Sequence, residues 1–287
     1  MFDSLKEWLS LFAEKSLRGF GETMDNVITI VSEEATEWDT IVNISESFQP
    51  FCYTIVGICL LIEILQISSR ADMLKWEHAL KIGIKLTLTR VCIEEAPKFL
   101  QACYLQAVEW MNLFVGHGGW VAVVLDELSI LAFKAHISAI NGMGNILGMF
   151  TSCLLIFIAV NVCGLILQII AYGRMFEIYS YLLISPLPFA FLPLGTGDGF
   201  GVNPITANFI KNFIAACVQG VMIMAAIYIY KKVLGTRLLI SAFTSMLTLN
   251  HVEAVTDASF IMLLNSVLLV MVVSKSSSIA KSLINAM

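Results

Sequence analysis

The sequence predicts an all-α, polytopic transmembrane helical bundle of five to six spans, with amphipathic helices lying along the interfaces. Hydrophobic residues make up 58% of the 287 and charged residues only 14%, and the mean hydropathy is +0.83. A soluble domain carries about 45–50% apolar and about 25% charged residues, so this chain cannot cover its core with polar surface and lipid must cover part of it. Apolar runs of roughly the 20 residues needed to cross a bilayer recur along the chain. Basic residues collect between alternate runs, as the positive-inside rule requires.

Residues 1–50 are acidic, with Lys6, Lys15 and Arg18 set against ten carboxylates, whereas the remainder holds 14 basic and 12 acidic residues. The first residues lack a basic segment followed by an apolar one, so no signal peptide is expected. Phe2, Leu5, Trp8, Leu9 and Phe12 recur instead at helical spacing, which predicts an amphipathic helix at the interface or packed on the rest of the protein. Two regions follow: an acidic, extracytoplasmic N-terminal segment over 1–50 and a transmembrane domain over 51–287.

The first span is expected at Phe51–Ile67, opened by Pro50 and interrupted by Glu63. Met73–Lys98 is charged but carries Leu74, Leu80, Ile84, Leu88 and Val91 at helical spacing, which predicts an amphipathic cytoplasmic helix continuing into the second span, with Pro97 as a break or kink. A second span, Phe99–Val115, contains Gln101, Gln106 and Glu109. Val121–Ile140 is amphipathic and is placed at the outer interface. Ile146–Tyr172, within a stretch lacking Asp, Glu, Lys and Arg, is the third span, and Met175–Leu194 and Asn208–Tyr230 are the next two. Ala258–Ser274 is a further span, while Leu238–Leu249 is apolar but shorter than an ordinary crossing.

Arg70, Lys75, Lys81, Lys85 and Arg90 follow the first span, Arg174 the third, and Lys231, Lys232 and Arg237 the fifth, which places the N-terminus outside. If Leu238–Leu249 crosses, Lys275 and Lys281 lie in the cytoplasm; if it is re-entrant or interfacial, they lie outside.

No sequence pattern of a metalloprotease, serine hydrolase or phosphate loop is present. Gly195-Thr-Gly-Asp-Gly-Phe-Gly201 lacks the lysine and strand–loop–helix context of a phosphate loop and reads as a connection between spans. The histidines (78, 117, 136 and 251) fall in polar or interfacial stretches, which disfavours haem ligation. Seven scattered cysteines form no CxxC pair, so no cofactor, metal or disulfide framework is expected.

The chemistry-bearing residues are therefore the polar ones within spans, which are costly in lipid. These are Glu63, Asn161, Gln168, Glu177, Lys211, Gln219 and Asn265. Each has two readings: interhelical hydrogen bonding or snorkelling, or part of a polar conduit lining. Gly144-xxx-Gly148 and Ala216-xxx-Gly220 permit close helix approach. In Gly173–Phe191, Arg174 and Glu177 stand one turn apart at the membrane face and are placed to pair. Pro186 and Pro188 break the next helix and free carbonyls that other helices or water must satisfy.

On these residues the chain resembles the TrbL-like family, the polytopic inner-membrane subunits of type IV secretion and conjugation machines. The likeness lies in Arg174 at the start of a span, the aromatic-rich helix after it, the Ser185-Pro-Leu-Pro-Phe-Ala190 break and the polar, glycine-containing loop. It continues in a span opening Asn208-Phe-Ile-Lys-Asn-Phe213 and closing in Gln219 to Tyr230. Ile62-Glu-Ile-Leu-Gln66 followed by a basic amphipathic helix is similar to the form carried by conjugative elements of Gram-positive bacteria. The likeness follows the layout of most of the chain and is specific over about Glu63–Arg90 and Gly173–Tyr230. It implies a non-enzymatic channel or scaffold subunit in the cytoplasmic membrane that self-associates and works beside the machine's ATPases and other subunits. DNA or protein would be its cargo. No catalytic residue is implied. The alternative is a small-molecule or ion transporter, which predicts two similar halves with matched broken helices; the proline break occurs once.

Overall fold

The computed structural model describes residues 2–32, 38–69, 76–117, 134, 137–138, 143–194, 203–230 and 251–285. Among them there is no strand. The α-helices are α1 (Phe2–Ser32), α2 (Trp38–Ser47), α3 (Gln49–Ser69), α4 (Trp76–His117), α5 (Met143–Ile184), α6 (Pro186–Ala190), α7 (Pro204–Ile229) and α8 (His251–Asn285), with a 3-10 turn at Leu192–Leu194. Four of them are long and apolar enough to cross a membrane: α3 over Gln49–Gln66, α5–α6 over Gly144–Ala190, α7 over Pro204–Ile229 and α8 over Val255–Ile284. The chain is thus all-α and polytopic.

The spans are divided differently from the sequence expectation. Ile146–Tyr172 and Met175–Leu194 share one helix, because α5 runs through Gly173 and Arg174 without a turn. Arg174 is 2% exposed there and does not mark an aqueous loop. Both expected spans thus lie along one apolar helical stretch, Gly144–Ala190. Phe99–Val115 is the C-terminal part of the 42-residue α4, which continues through Pro97 and is not among the four apolar helices. Leu238–Leu249, the Gly195–Gly201 loop and nearly all of Val121–Ile140 lie outside the described residues.

The chain forms two compact units. The first comprises Met1–Glu33, Trp110–Gly173 and Gly220–Ser277. Here α1 buries Leu9, Phe20, Met24, Val27, Ile28 and Val31, while Trp8 and Leu11 stay exposed. On α5, Met149, Cys153, Phe157, Val160, Leu167 and Ala171 recur every three or four residues as one buried stripe. Leu147, Leu155, Val162, Leu165 and Ile169 are exposed, which suits a helix with one side on protein and the other on lipid.

The two helices meet closely at Gly164, where an added Cβ would lie 3.3 Å from Thr23 Cγ2 and 3.5 Å from Phe20 Cδ2. Phe12 meets Phe157 edge-on, with ring centroids 6.1 Å apart. Lys6 donates to the Ser138 carbonyl at 2.9 Å, and Glu14 pairs with both Lys134 and Arg18. The hydrogen bond from Lys134 holds the Glu14 carboxyl below the usual carboxylate range, against the opposing effect of desolvation and with help from Arg18.

The second unit comprises Glu34–Glu109, Arg174–Gln219 and Ser278–Met287. α2 turns into α3 at Phe48, where Phe48 N–H bonds the Ser45 carbonyl and Cys52 N–H the Phe48 carbonyl. Pro50 sits in the first turn of α3, where its missing N–H costs nothing. α3 and α4 run antiparallel. Tyr53 Oη donates to Glu94 Oε1 at 3.0 Å, and ten residues further along α3, Glu63 pairs with Lys85. Arg90 closes the first contact by donating to the same Glu94 oxygen at 2.9 Å.

Gly164→Val is expected to overpack the α1–α5 contact and cost about 1–3 kcal/mol, read as a lowered melting midpoint in detergent. Gly148→Val, where nothing lies within 4 Å, serves as the control and should leave the midpoint unchanged. Because the Glu14 pKa is lowered on folding, its contribution is complete above its ordinary value of 4.5 and is lost as pH falls through the lower folded value. Glu14→Gln should abolish that part of the acid sensitivity when midpoints are compared from neutral to acidic pH.

Candidate functional site

The second unit is organised around the helix break. α5 ends at Ile184 because Pro186 cannot donate a backbone hydrogen bond and its ring crowds the preceding turn. The same proline then opens α6, since its fixed φ suits a first helical turn. Pro186, Pro188, Phe189 and Ala190 are all buried. The two prolines cannot donate to the Leu182 and Ile184 carbonyls, and the Ser185 N–H takes over the Leu182 carbonyl at 3.2 Å. Side chains at the start of the next helix donate to carbonyls further along the break. Thr206 Oγ1, 1% exposed, donates to the Pro188 carbonyl at 2.7 Å. Asn203 Nδ2 donates to the Phe191 carbonyl at 2.8 Å.

Asn203 does two things at once. Its Oδ1 accepts the Ile205 N–H at 3.0 Å, which makes it the N-cap of α7, with Pro204 at the first helical position. One side chain therefore ties the end of the break to the start of the next helix. Phe189 and Ala190 enter a buried cluster with Cys52 and Val56 of α3 and Ile93 and Ala96 of α4.

From the break, α5 and α7 run back along each other. Tyr181 packs edge-on against Phe209 and Phe213, at 5.6 and 6.2 Å. Two turns further, Arg174 Nε donates to the Ala216 carbonyl at 3.3 Å. Arg174 is the largest fully buried side chain. A guanidinium keeps its charge in proteins, so its burial requires acceptors and aromatic or polarisable neighbours in place of water. Tyr104 of α4 and Cys217 of α7 lie beside it, with Glu177 one turn along α5. Tyr104 in turn packs on the buried Trp38 ring at 5.2 Å, and Trp38 meets Tyr179 edge-on at 6.1 Å. The guanidinium thus belongs to a set that joins α2, α4, α5 and α7.

The residues singled out in the sequence fall into both units. Arg174, Glu177, Pro186, Pro188, Lys211, Gln219 and Glu63 lie in the second; Asn161, Gln168 and Asn265 lie in the first. Glu63 is paired with Lys85, and its Oε2 has no hydrogen-bond partner among the described residues. Asn161 Nδ2 donates to the Phe157 carbonyl at 2.8 Å, and its Oδ1 lies 3.6 Å from where a Cβ on Gly19 would be. Asn265 is 8% exposed, with Oδ1 unsatisfied among the described residues. Lys211 and Gln168 are half-buried and Gln219 is buried. The hydrogen bond that orients Arg174 crosses to α7, whereas Glu177, the partner expected one turn on, is half-buried.

Sequence reasoning missed Thr206, Asn203, Lys85 and Tyr104. The Asn203-Pro204 pair is a legible N-cap and first-turn signature; the other three carry no local signal. Among the described residues no group of His, Cys, Asp and Glu is arranged to hold a metal ion. The arrangement binds helices together and orders a break in an apolar helix.

A family model described as TrbL/VirB6 plasmid conjugal transfer like protein matches residues 22–186. That range runs from α1 to the first proline of the break and includes Glu63, Lys85 and Arg174. No curated protein and no solved structure matches the chain.

Thr206→Val keeps the shape but leaves the Pro188 carbonyl with only the longer Phe191 N–H bond at 3.4 Å, and is expected to cost about 0.5–1.5 kcal/mol. Thr206→Ser should retain most of the stability; detergent melting midpoints of the two variants check this. Arg174→Leu should separate α5 from α7 locally, seen as faster hydrogen exchange at the α7 amides around Ala216.

Proposed function

Because the chain belongs to the TrbL/VirB6 plasmid conjugal transfer-like family, we propose that it is an integral membrane channel or scaffold subunit of a conjugative type IV secretion system. The observation that carries this is the family match over more than half the chain, joined to four helices long and apolar enough to cross a membrane. In this role the protein is not an enzyme. It sits in the bacterial cytoplasmic membrane, associates with copies of itself and with other machine subunits, and works beside the ATPases that drive transfer of DNA or protein. The basic residues after α3 support a cytoplasmic α3–α4 connection and an extracytoplasmic N-terminal segment.

The proline break supports a structural part in such a machine. Irregular backbone at membrane depth is tolerated where it is buried in protein or lines a cavity, and here its carbonyls are answered by Thr206 and Asn203. A break held by specific donors fixes how the end of α5–α6 packs on α3 and α4.

Deletion of the gene from its conjugative element should abolish transfer, with recovery on expression in trans, measured as transconjugants per donor. Transfer at the undiminished frequency would overturn the proposal. The double variant Pro186→Ala, Pro188→Ala should insert in the membrane at the normal level while transfer falls; loss of insertion would assign the break to folding alone.

A further inference from the structure

The N-terminal half of α4 is too charged to register as a membrane span, yet it lies alongside one. The Tyr53–Glu94 and Glu63–Lys85 contacts set an antiparallel register in which α3 and α4 advance together for about 14 Å, at about 1.5 Å per residue. Extended to the ends of the apolar stretch Gln49–Gln66, that register sets residues 82–98 of α4 level with it. We propose that this part of α4 crosses the hydrocarbon core as the second leg of a transmembrane hairpin with α3, and that its outer face meets lipid acyl chains. The proposal deepens the membrane-subunit reading and rests on α3 as a span.

The composition of the level segment fits. Residues 82–98 hold seven strongly polar side chains, Lys85, Thr87, Thr89, Arg90, Glu94, Glu95 and Lys98, and each has a partner within the hairpin, Lys98 donating to Glu95 at 3.2 Å near the end of the segment. Lys85 is paired with Glu63, both side chains being under 20% exposed. Thr87 and Thr89 donate back to the carbonyls of Gly83 and Lys85 at 2.9 and 2.8 Å. Arg90 is bonded to Glu94, which also accepts from Tyr53. The two threonine back-bonds leave neither hydroxyl open, as a lipid-facing helix requires. Glu63 and Tyr53 sit three and four residues inside the two ends of the Gln49–Gln66 stretch, and Arg90, level with about Gly57, reaches along α4 to Glu94 beside Tyr53, as long side chains do towards the headgroups.

The outward face agrees. Leu80, Ile84, Leu88 and Val91 are 45–51% exposed, and Trp76 at the end of the stripe is 80% exposed. A shallow groove of ≈ 680 Å³ runs down this face. On α3, Ile58, Leu61 and Leu65 are equally exposed, so the apolar surface continues from the recognised span onto α4. Lipid is the occupant because that continuity extends the surface α3 already presents to it. A sum of hydropathies misses the leg because it scores Lys85, Arg90 and Glu94 as free charges, each expensive at membrane depth, although each is neutralised by a neighbour.

The crossing thereby shifts towards the N-terminus from Phe99–Val115, and Gln106 moves from the expected span to the aqueous side beyond the hairpin. The test uses the full chain with its native cysteines replaced, in lipid bilayers, with a nitroxide attached to single cysteines at Leu88, Gln106 and, as control, Leu61. Accessibility to oxygen, which concentrates in lipid, is compared with accessibility to a water-soluble nickel chelate. High oxygen and low nickel accessibility at Leu88, with the reverse at Gln106, is the expected result. High nickel accessibility at Leu88 would make the segment a surface helix and overturn the proposal. Low accessibility to both would mean that protein, whether a second copy or another subunit, covers the face, and would equally overturn the lipid assignment. High nickel accessibility at Leu61 would instead sink α3 as a span, separating that failure from one confined to α4. As a second measurement, Glu63→Gln should expose Leu88 to nickel, and Glu63→Gln with Lys85→Met should restore its lipid signature; no change in either variant would remove the ion pair from the account.

Discussion

A backbone carbonyl at a break in an apolar, buried helix has no water to turn to, and leaving it unsatisfied costs as much as several ordinary contacts provide. In this protein that constraint falls on the Pro188 and Phe191 carbonyls, along the break that Pro186 opens. It is met by two side chains from the start of the following helix, Thr206 and Asn203. Because Asn203 also caps α7, meeting the demand sets where α7 begins. The position of that start sets the register of α5 against α7 through Tyr181, Phe209 and Phe213 and on to Arg174.

Arg174 extends the same logic from backbone to charge. In the charge-poor surroundings of α5 a guanidinium ordinarily signals an aqueous loop, and its burial is tolerable only with acceptors close by. The Ala216 carbonyl supplies one, and Tyr104, beside the guanidinium, packs on to Trp38. The small residues Ala215 and Ala216, both 3% exposed, leave room for the side chain to reach the α7 backbone. α5 runs on past Gly173 to Ile184.

Much of this was legible beforehand. The helical class, the apolar runs at α3, α7 and α8, the amphipathic α1 and the proline break follow from composition and spacing, since hydrophobic periodicity is local and survives without knowledge of partners. The resemblance at Gly173–Tyr230 pointed to the family that the match over residues 22–186 identifies. What could not be read is which polar residues are solvated and which are paired. Glu63 stood out as a lone acid, and its partner Lys85 looked like an ordinary charge on an amphipathic helix.

By itself the sequence determined that the chain is a bundle of helices built for a bilayer, broken once at Ser185-Pro-Leu-Pro188, because those properties are sums and patterns over neighbouring residues. Only the tertiary structure decided that α5 is one helix and that α3 and α4 form an antiparallel pair. It alone decided that Thr206 and Asn203 close the break. Each decision turns on a contact between residues far apart in the chain, 22 positions for Glu63 and Lys85, 42 for Arg174 and Ala216 and 18 for Thr206 and Pro188. The energy of a charge or a freed carbonyl in an apolar setting depends on whether such a partner arrives, and no local window contains it.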